Sequence, residues 1–218
     1  MVKTRHFISL SAGFLAIVLF SFAMAEEPGI VQLPAPQTEG GKPLMTALKE
    51  RQSMRSFSEQ KLSEQTLSDL LWAAFGINRP ETGGRTAPSA MNMQETDIYL
   101  ALEEGLYLYD AKSNTLKPVL EKDLRAATGK QKFAGEAPLN LIFVADYARI
   151  GDKLSKEAAD KYATVDVGYI SQNVYLFCAS EGLGTVVRNY FDEEKLSSLM
   201  QLDHRQRIIL VQTVGYPK

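Results

Sequence analysis

The sequence predicts an α+β fold, one globular domain built on a mostly antiparallel sheet with helices packed against it. Three observations carry this. Amphipathic helical stretches and short strand-like runs are mixed without the regular β-α alternation of parallel-sheet proteins. Two short apolar runs around Glu103-Glu104 read as a hairpin. Leu139 to Ala145 is an almost unbroken apolar run, as expected of a central strand buried on both faces. With 218 residues, 45% of them apolar and 23% charged, the chain is long enough to bury a core without help. Its 24 Lys and Arg against 26 Asp and Glu, a net charge of −2, lack the basic excess that nucleic-acid binding uses, so no nucleic-acid partner is expected.

The N-terminus reads as a targeting segment. Lys3 and Arg5 precede an apolar run from Phe7 to Phe22, and Ala23-Met24-Ala25 is a small-residue cleavage signature. A signal peptide over residues 1–25 is therefore expected, with cleavage after Ala25 and a mature protein in the periplasm or outside the cell. The alternative is an uncleaved single anchor, which would be the only membrane contact. No cysteine follows the run, which argues against a lipoprotein, and no Arg-Arg pair marks twin-arginine export. Without Lys3 and Arg5 the mature chain keeps 22 basic against 26 acidic side chains, a net charge of −4. Only Cys178 is present, so no intramolecular disulfide can form, and its neighbours Tyr175-Leu176-Phe177 mark it as a small buried hydrophobe.

Residues 26–42 carry Pro28, Pro34 and Pro36 with three glycines, an extended arm or linker ahead of a folded domain over 43–218. Pro43 suits the first turn of a helix to about Glu50, with Leu44, Ala47 and Leu48 on its buried side. Ser63 is placed to cap a second helix whose Leu67, Leu70, Leu71, Ala74 and Phe75 form one apolar face, ended by Gly76. Asn78 to Gln94 reads as a long loop without regular structure, a kind that is often functional. Strands are expected over Asp97 to Leu102, Gly105 to Tyr109 and Leu116 to Leu120, then a short helix over Glu121 to Thr128. Asp152 to Lys161 reads as an exposed helix or a mobile lid. Val165 to Glu181 is a helix with Val167, Ile170, Val174, Phe177 and Cys178 on one side and Tyr169 and Leu176 on another, so much of its circumference demands burial in a core or a subunit interface. Thr185 to Tyr190 reads as a strand. Asp192 caps a last helix with Phe191 stapled to Leu196, and Arg207 to Val214 closes the chain as a strand.

Two stretches carry candidate chemistry. In Arg51-Gln52-Ser53-Met54-Arg55, two fixed cations bracket a hydroxyl just beyond a helix. Paired guanidinium donors and a rotatable serine donor can together hold a phosphate monoester. The plainer alternative is a pair of surface charges favoured near a helix C-terminus. The second stretch, Arg85 to Gln94, is rich in small and amide side chains that suit a planar polar ring. No His/Cys cluster of metal-ligand type is present, and His204 reads as a turn residue, so no metal is expected.

Four motifs in order resemble the FMN-dependent nitroreductase family: Arg51-x-Ser53-x-Arg55, Pro88-Ser89-Ala90-x-Asn92-x-Gln94, Gly182-Leu183-Gly184-Thr185 with Phe191-Asp192, and Val214-Gly215-Tyr216-Pro217. Arg85-Thr86-Ala87-Pro88-Ser89-Ala90 is most similar to the branch containing the peptide azoline (thiazole/oxazole) dehydrogenases. The resemblance implies a sandwich with a mostly antiparallel central sheet flanked by helices, an intertwined homodimer, and FMN at the subunit interface. It also implies an oxidoreductase moving hydride or electrons through the flavin to or from a small nitro, quinone or similar substrate, with an unknown donor and no catalytic side chain of its own. The alternative is a non-catalytic flavin- or ligand-binding descendant. Arg51, Gln52 and Ser53 would hold the phosphate and Arg55 the ribityl or pyrimidine edge. Ser89 and Asn92 would approach the flavin, and Val187-Arg188-Asn189 would pass along its other side. Glu95 stands where relatives often have proline, and Asn189-Tyr190 where they often have Gly-Gly. The chain also ends before a distal Arg or Lys that many relatives place at the phosphate, a role in which Arg188 or Arg85 would substitute.

Overall fold

The computed structural model describes residues 29–218, and the targeting segment expected over 1–25 lies outside the described residues. Strand β1 (Val31–Gln32) comes from the stretch expected to be an arm or linker. It pairs with a later strand, Val31 opposite Leu116, and Leu33 behind it is buried. The Pro34 carbonyl accepts from Ser68 Oγ at 2.6 Å and Asn114 Nδ2 at 2.7 Å, so the segment is part of the folded body.

Helix α1 (Leu44–Glu50) forms where expected, but only Ala47 is buried. Leu44, Met45 and Leu48 are exposed, at 62%, 75% and 44%, because so short a helix leans on its neighbour through the one small residue. Helix α2 (Glu64–Phe75) is capped by Ser63, whose side chain accepts from the Thr66 N–H, and it buries Leu67, Leu70, Leu71, Ala74 and Phe75 as its spacing requires. Gly76 ends it in an extended conformation. A Cβ there would lie 2.5 Å from Trp72 Cδ1, so only glycine fits.

The next stretch departs from the expected irregular loop. Strands β2 (Ile77–Arg79) and β3 (Gly84–Arg85) pair as a small separate hairpin, and Ala90–Asn92 form a 3₁₀ turn. Strands β4 (Thr96–Ala101), β5 (Leu106–Asp110) and β6 (Thr115–Leu120) form the meander expected around Glu103-Glu104. The helix expected at Glu121 to Thr128 shrinks to a 3₁₀ turn, Arg125–Thr128, and a short α3 (Phe133–Glu136) follows.

Strand β7 (Leu139–Asp146) lies between β4 and a later strand, with every residue to Ala145 buried. Its alternation serves both faces: Leu139, Leu141 and Phe143 join one core cluster, and Ile142 and Val144 join another. After α4 (Tyr147–Ile150), helix α5 (Lys156–Glu181) runs for 26 residues. The segment expected as a separate helix or lid is split between a 3₁₀ turn, Gly151–Lys153, and the first turns of α5. Ala159 and Ala163 continue the buried stripe there with side chains too small to mark it in the sequence.

Strand β8 (Gly184–Arg188), helix α6 (Glu193–Leu199) and strand β9 (Gln206–Gly215) complete the chain, with Asp192 accepting from the Lys195 N–H as the α6 cap. Strand β8 stops at Arg188, two residues short of the expected end. The sheet has seven strands in the order β1-β6-β5-β4-β7-β9-β8, and every pairing is antiparallel. Helices α2 and α5 cover one face, while α6 and the turn near Leu124 cover the other. Each fully buried leucine contributes about 1.5 to 3 kcal/mol, so this two-faced core holds the fold without a disulfide.

Candidate functional site

The Arg51–Arg55 turn is fixed at both ends. Arg51 N–H closes the last bond of α1 on Ala47 O, Met54 N–H donates to Thr185 O on β8 at 2.9 Å, and buried Phe57 bridges to Pro217. Met54 lies against Gly184, where a Cβ would stand 2.6 Å from its sulfur.

Tyr175, on α5, organises the side chains. The Arg51 guanidinium sits over its ring, 5.3 Å from the centroid, a cation–π contact. Among the described residues Arg51 is in no ion pair, whereas Lys42 beside it is paired with Glu50 at 2.7 Å. The phenol hydroxyl accepts from the Val187 N–H at 3.0 Å and lies 2.8 Å from Ser53 Oγ. Either hydroxyl can donate in this contact, which fixes Ser53 against Tyr175. Arg51 and Tyr175 open on a cleft of about 540 Å³ lined also by Lys49, Gln52, Gly182 and Thr185; Ser53, bonded to Tyr175, lies beside it and is not among its lining residues. The cleft holds three cations and one carboxylate, so it suits an anion. Arg55 is exposed and does not line this cleft.

Ser89 and Asn92 are elsewhere on the same face. Ser89 Oγ accepts from the Gln94 N–H at 3.0 Å and braces its own turn, while Asn92 Oδ1 accepts from Gln94 Nε2 at 3.0 Å. Met91, Asn92 and Gln94 all have left-handed backbones, with φ of 50°, 53° and 50°. Arg85 supports this turn from below, donating to Gln94 Oε1 and Phe75 O, both at 2.9 Å, and stacking on the Phe75 ring. Asn92 lines a second cleft of about 520 Å³ with Arg85, Asp97, Tyr109 and Arg149. Ala90 N–H meets Asp166 of α5. Asp166 and Tyr175 are nine residues apart, so the Ser89–Gln94 turn and the Arg51 side chain meet α5 about 14 Å apart along its axis. Within one chain the structure does not bring Ser89 or Asn92 together with Arg51 and Ser53.

Arg188 is turned away from both clefts. Strand alternation puts it on the side of Val186, which packs with Phe57 and Ala137. It is 7% exposed, lies over the Phe133 ring, and donates to Thr128 O, Thr128 Oγ1, Asn140 Oδ1 and Thr213 Oγ1. All four acceptors are neutral, and burial pushes its pKa down to about 10. The expectation that Arg188 stands at a phosphate is therefore corrected: its guanidinium is an internal brace. The Val187 N–H, expected to face a ring, is taken by Tyr175. Tyr175 is the residue that sequence reasoning missed. Its signal was a phenol in an apolar helical stripe, since a buried hydroxyl must find a partner. Cys178 is buried and its thiol pKa is raised by burial, so it is an inert filler.

Comparison with known proteins gives the same picture. The model of the Nitroreductase family matches residues 48–216. A protein of Methanocaldococcus jannaschii named "Putative nitroreductase" is 31% identical over 182 residues, 79% of this chain and 90% of its own. A crystal structure from Ralstonia eutropha with the same description superposes with a TM-score of 0.83 at 41% identity, covering 87% of this chain and 90% of that one. A chain of the E. coli microcin synthetase complex shares the fold, with a TM-score of 0.67 at 20% identity over 95% of this chain and 85% of its own. An antiparallel sheet between helical layers, an arginine-serine turn seated on the central helix, and a family match across most of the sequence agree, and the chain belongs to the nitroreductase family.

Proposed function

We propose that this protein is an exported, FMN-dependent oxidoreductase acting on a small nitro, quinone or similar substrate. The observation that carries the reading is the Arg51 guanidinium, held over Tyr175 with no ion-pair partner among the described residues, beside a serine bonded to the same phenol. That donor set fits a phosphate monoester. Arg51 holds it from the cleft wall, Ser53 reaches it from beside the cleft, Gln52 lines the rim, and Lys49 adds charge. Exposed Arg55 reaches the ribityl or ring edge only from outside the cleft. FMN, when bound, supplies the hydride or electron transfer, so no catalytic side chain is needed. The chain's part is to bind, orient and screen.

Ser89 and Asn92 enter this reading from a second subunit. Leu44, Met45 and Leu48 of α1 and Tyr162, Val165 and Tyr169 of α5 are exposed apolar side chains on two helices that pack together. A homodimer covering them removes this patch from water and supplies a neighbouring turn to each cleft. The likeness of Arg85 to Ala90 to the azoline dehydrogenase branch bears on ancestry, and the substrate is assigned here to the nitro and quinone class. Export follows from residues 1–25, and mature protein recovered outside the cytoplasm should begin at Glu26.

The test is titration of purified mature protein with FMN and with riboflavin, followed by fluorescence. FMN is expected to bind about 10- to 100-fold more tightly, the worth of one charge-assisted phosphate bond or more. Arg51→Ala should erase most of that difference, and light scattering should give a dimer mass. Equal affinity for the two flavins overturns the phosphate assignment.

A further inference from the structure

Glu95 and Asp166 form a buried acid pair that the reading above does not use. Glu95 is fully buried and Asp166 is 3% exposed. Neither Glu95 carboxylate oxygen has a hydrogen-bond donor among the described residues. Asp166 Oδ2 accepts from the Ala90 N–H at 2.8 Å and thereby ties α5 to the start of the strained turn that carries Asn92. Met93, Ile150 and Ala159 form a small buried apolar cluster against Ala90 of the turn.

Two carboxylates cannot both be ionised in so dry a place without a cation between them. The nearest cation is Arg149 of α4. Its guanidinium is spent elsewhere, donating to both oxygens of Asp97 at 2.7 and 2.8 Å and to Gln94 O at 3.0 Å, with Asp146 3.5 Å away. Tyr147 of α4 donates to Asp160 of α5 and is not available either.

We propose that Glu95 and Asp166 share one proton, and that this proton holds the Ser89–Gln94 turn in the left-handed conformation seen here. Asp166 is fixed on a 26-residue helix, whereas Glu95 sits at the exit of the turn. When the proton leaves, repulsion moves the softer partner. The turn, with three residues at positive φ, is released. Burial, followed by the charge of Asp166, pushes the Glu95 carboxyl up to about 7, against an ordinary 4.5. The sign follows from linkage. The held turn binds the proton more tightly than the released one, so release grows as pH rises from about 5 to 7 and levels above. Glu95 and Asp166 are thus positioning residues for Ser89 and Asn92, and the effect on flavin rests on the function proposed above.

Hydrogen exchange of the flavin-free mature protein tests the latch without that dependence. After correction for intrinsic rates, protection of the amides from Ala90 to Glu95 should fall about tenfold per pH unit between pH 5 and 7, then flatten. Glu95→Gln replaces the shared proton with an amide donor and should flatten the profile. Asp166→Asn should do the same from the other side. A flat wild-type profile, or a slope kept in both variants, overturns the proposal. A steep exchange profile with an FMN affinity that ignores pH keeps the latch and removes Ser89 and Asn92 from flavin contact.

Discussion

Arg51 and Arg188 are the same residue put to opposite uses. Arg51 stands at the mouth of a cleft, stacked on one face of Tyr175 with most of its donors unspent. Arg188 lies on the opposite side of strand β8, with donors meeting Thr128, Asn140 and Thr213 and its charge matched by no carboxylate. The difference teaches that an arginine's worth to a ligand is set by what has already claimed its fork. An unclaimed guanidinium can pay out binding energy to an anion, while a claimed one has spent it on folding.

The sharpest way to break this comparison is to remove the claimed arginine. Arg188→Leu leaves Thr128 O and Thr213 Oγ1 without their buried donor, while Asn140 Oδ1 keeps only the Thr213 hydroxyl. Each orphaned acceptor costs about 1 to 3 kcal/mol, so a loss of about 3 kcal/mol or more is expected in urea unfolding. Arg188→Lys keeps the charge but cannot span four acceptors, and it should fall between. Flavin affinity of the folded fraction should be unchanged in both. A large loss of FMN affinity in Arg188→Lys without a stability change would return Arg188 to the binding site.

Tyr175→Phe sharpens the comparison from the other side. The ring and its stacking on Arg51 remain, but the Val187 N–H loses its acceptor and Ser53 its hydroxyl partner. A stability loss of about 1 to 2 kcal/mol is expected, smaller than at Arg188 because the cleft admits water to one side of the defect. FMN affinity should fall with it, since Ser53 then loses the hydroxyl that orients it. An unchanged FMN affinity would show that Ser53 is oriented by something other than this phenol.

The sheet and helices α2 and α6 were legible because hydrophobic period and capping agree at each: Ser63 and Asp192 cap as read, and the Leu139 to Ala145 run is the central strand. What was not legible shares a cause. Lys156 to Lys161 belongs to α5, but alanines at 159 and 163 carry too little apolar weight to extend a stripe. The β2–β3 hairpin is held by Arg85 reaching to Gln94 and Phe75, contacts with no local period. In the site, Arg51 and Ser53 were readable as a spacing, yet the residue that orients them lies more than a hundred positions away on α5. Arg188 was misread because the resemblance ran Val187-Arg188-Asn189 along the flavin, whereas side-chain alternation sends 188 inward with Val186.

The smallest expected effect is the most discriminating. Ser53→Ala deletes one hydroxyl at an exposed position. Tyr175 keeps the N–H of Val187 and turns its own proton to water in the cleft, so stability should stay within about 0.5 kcal/mol of the parent. The phosphate, by contrast, loses one neutral donor, worth about 0.5 to 1.5 kcal/mol, so FMN should bind about 2- to 12-fold more weakly. Riboflavin, with no phosphate, should bind as before. Titration with both flavins and urea unfolding of the same preparation separate the outcomes. Loss of stability without a selective loss of FMN would make Ser53 a strut for Tyr175, and the cleft would then rest on Arg51 alone.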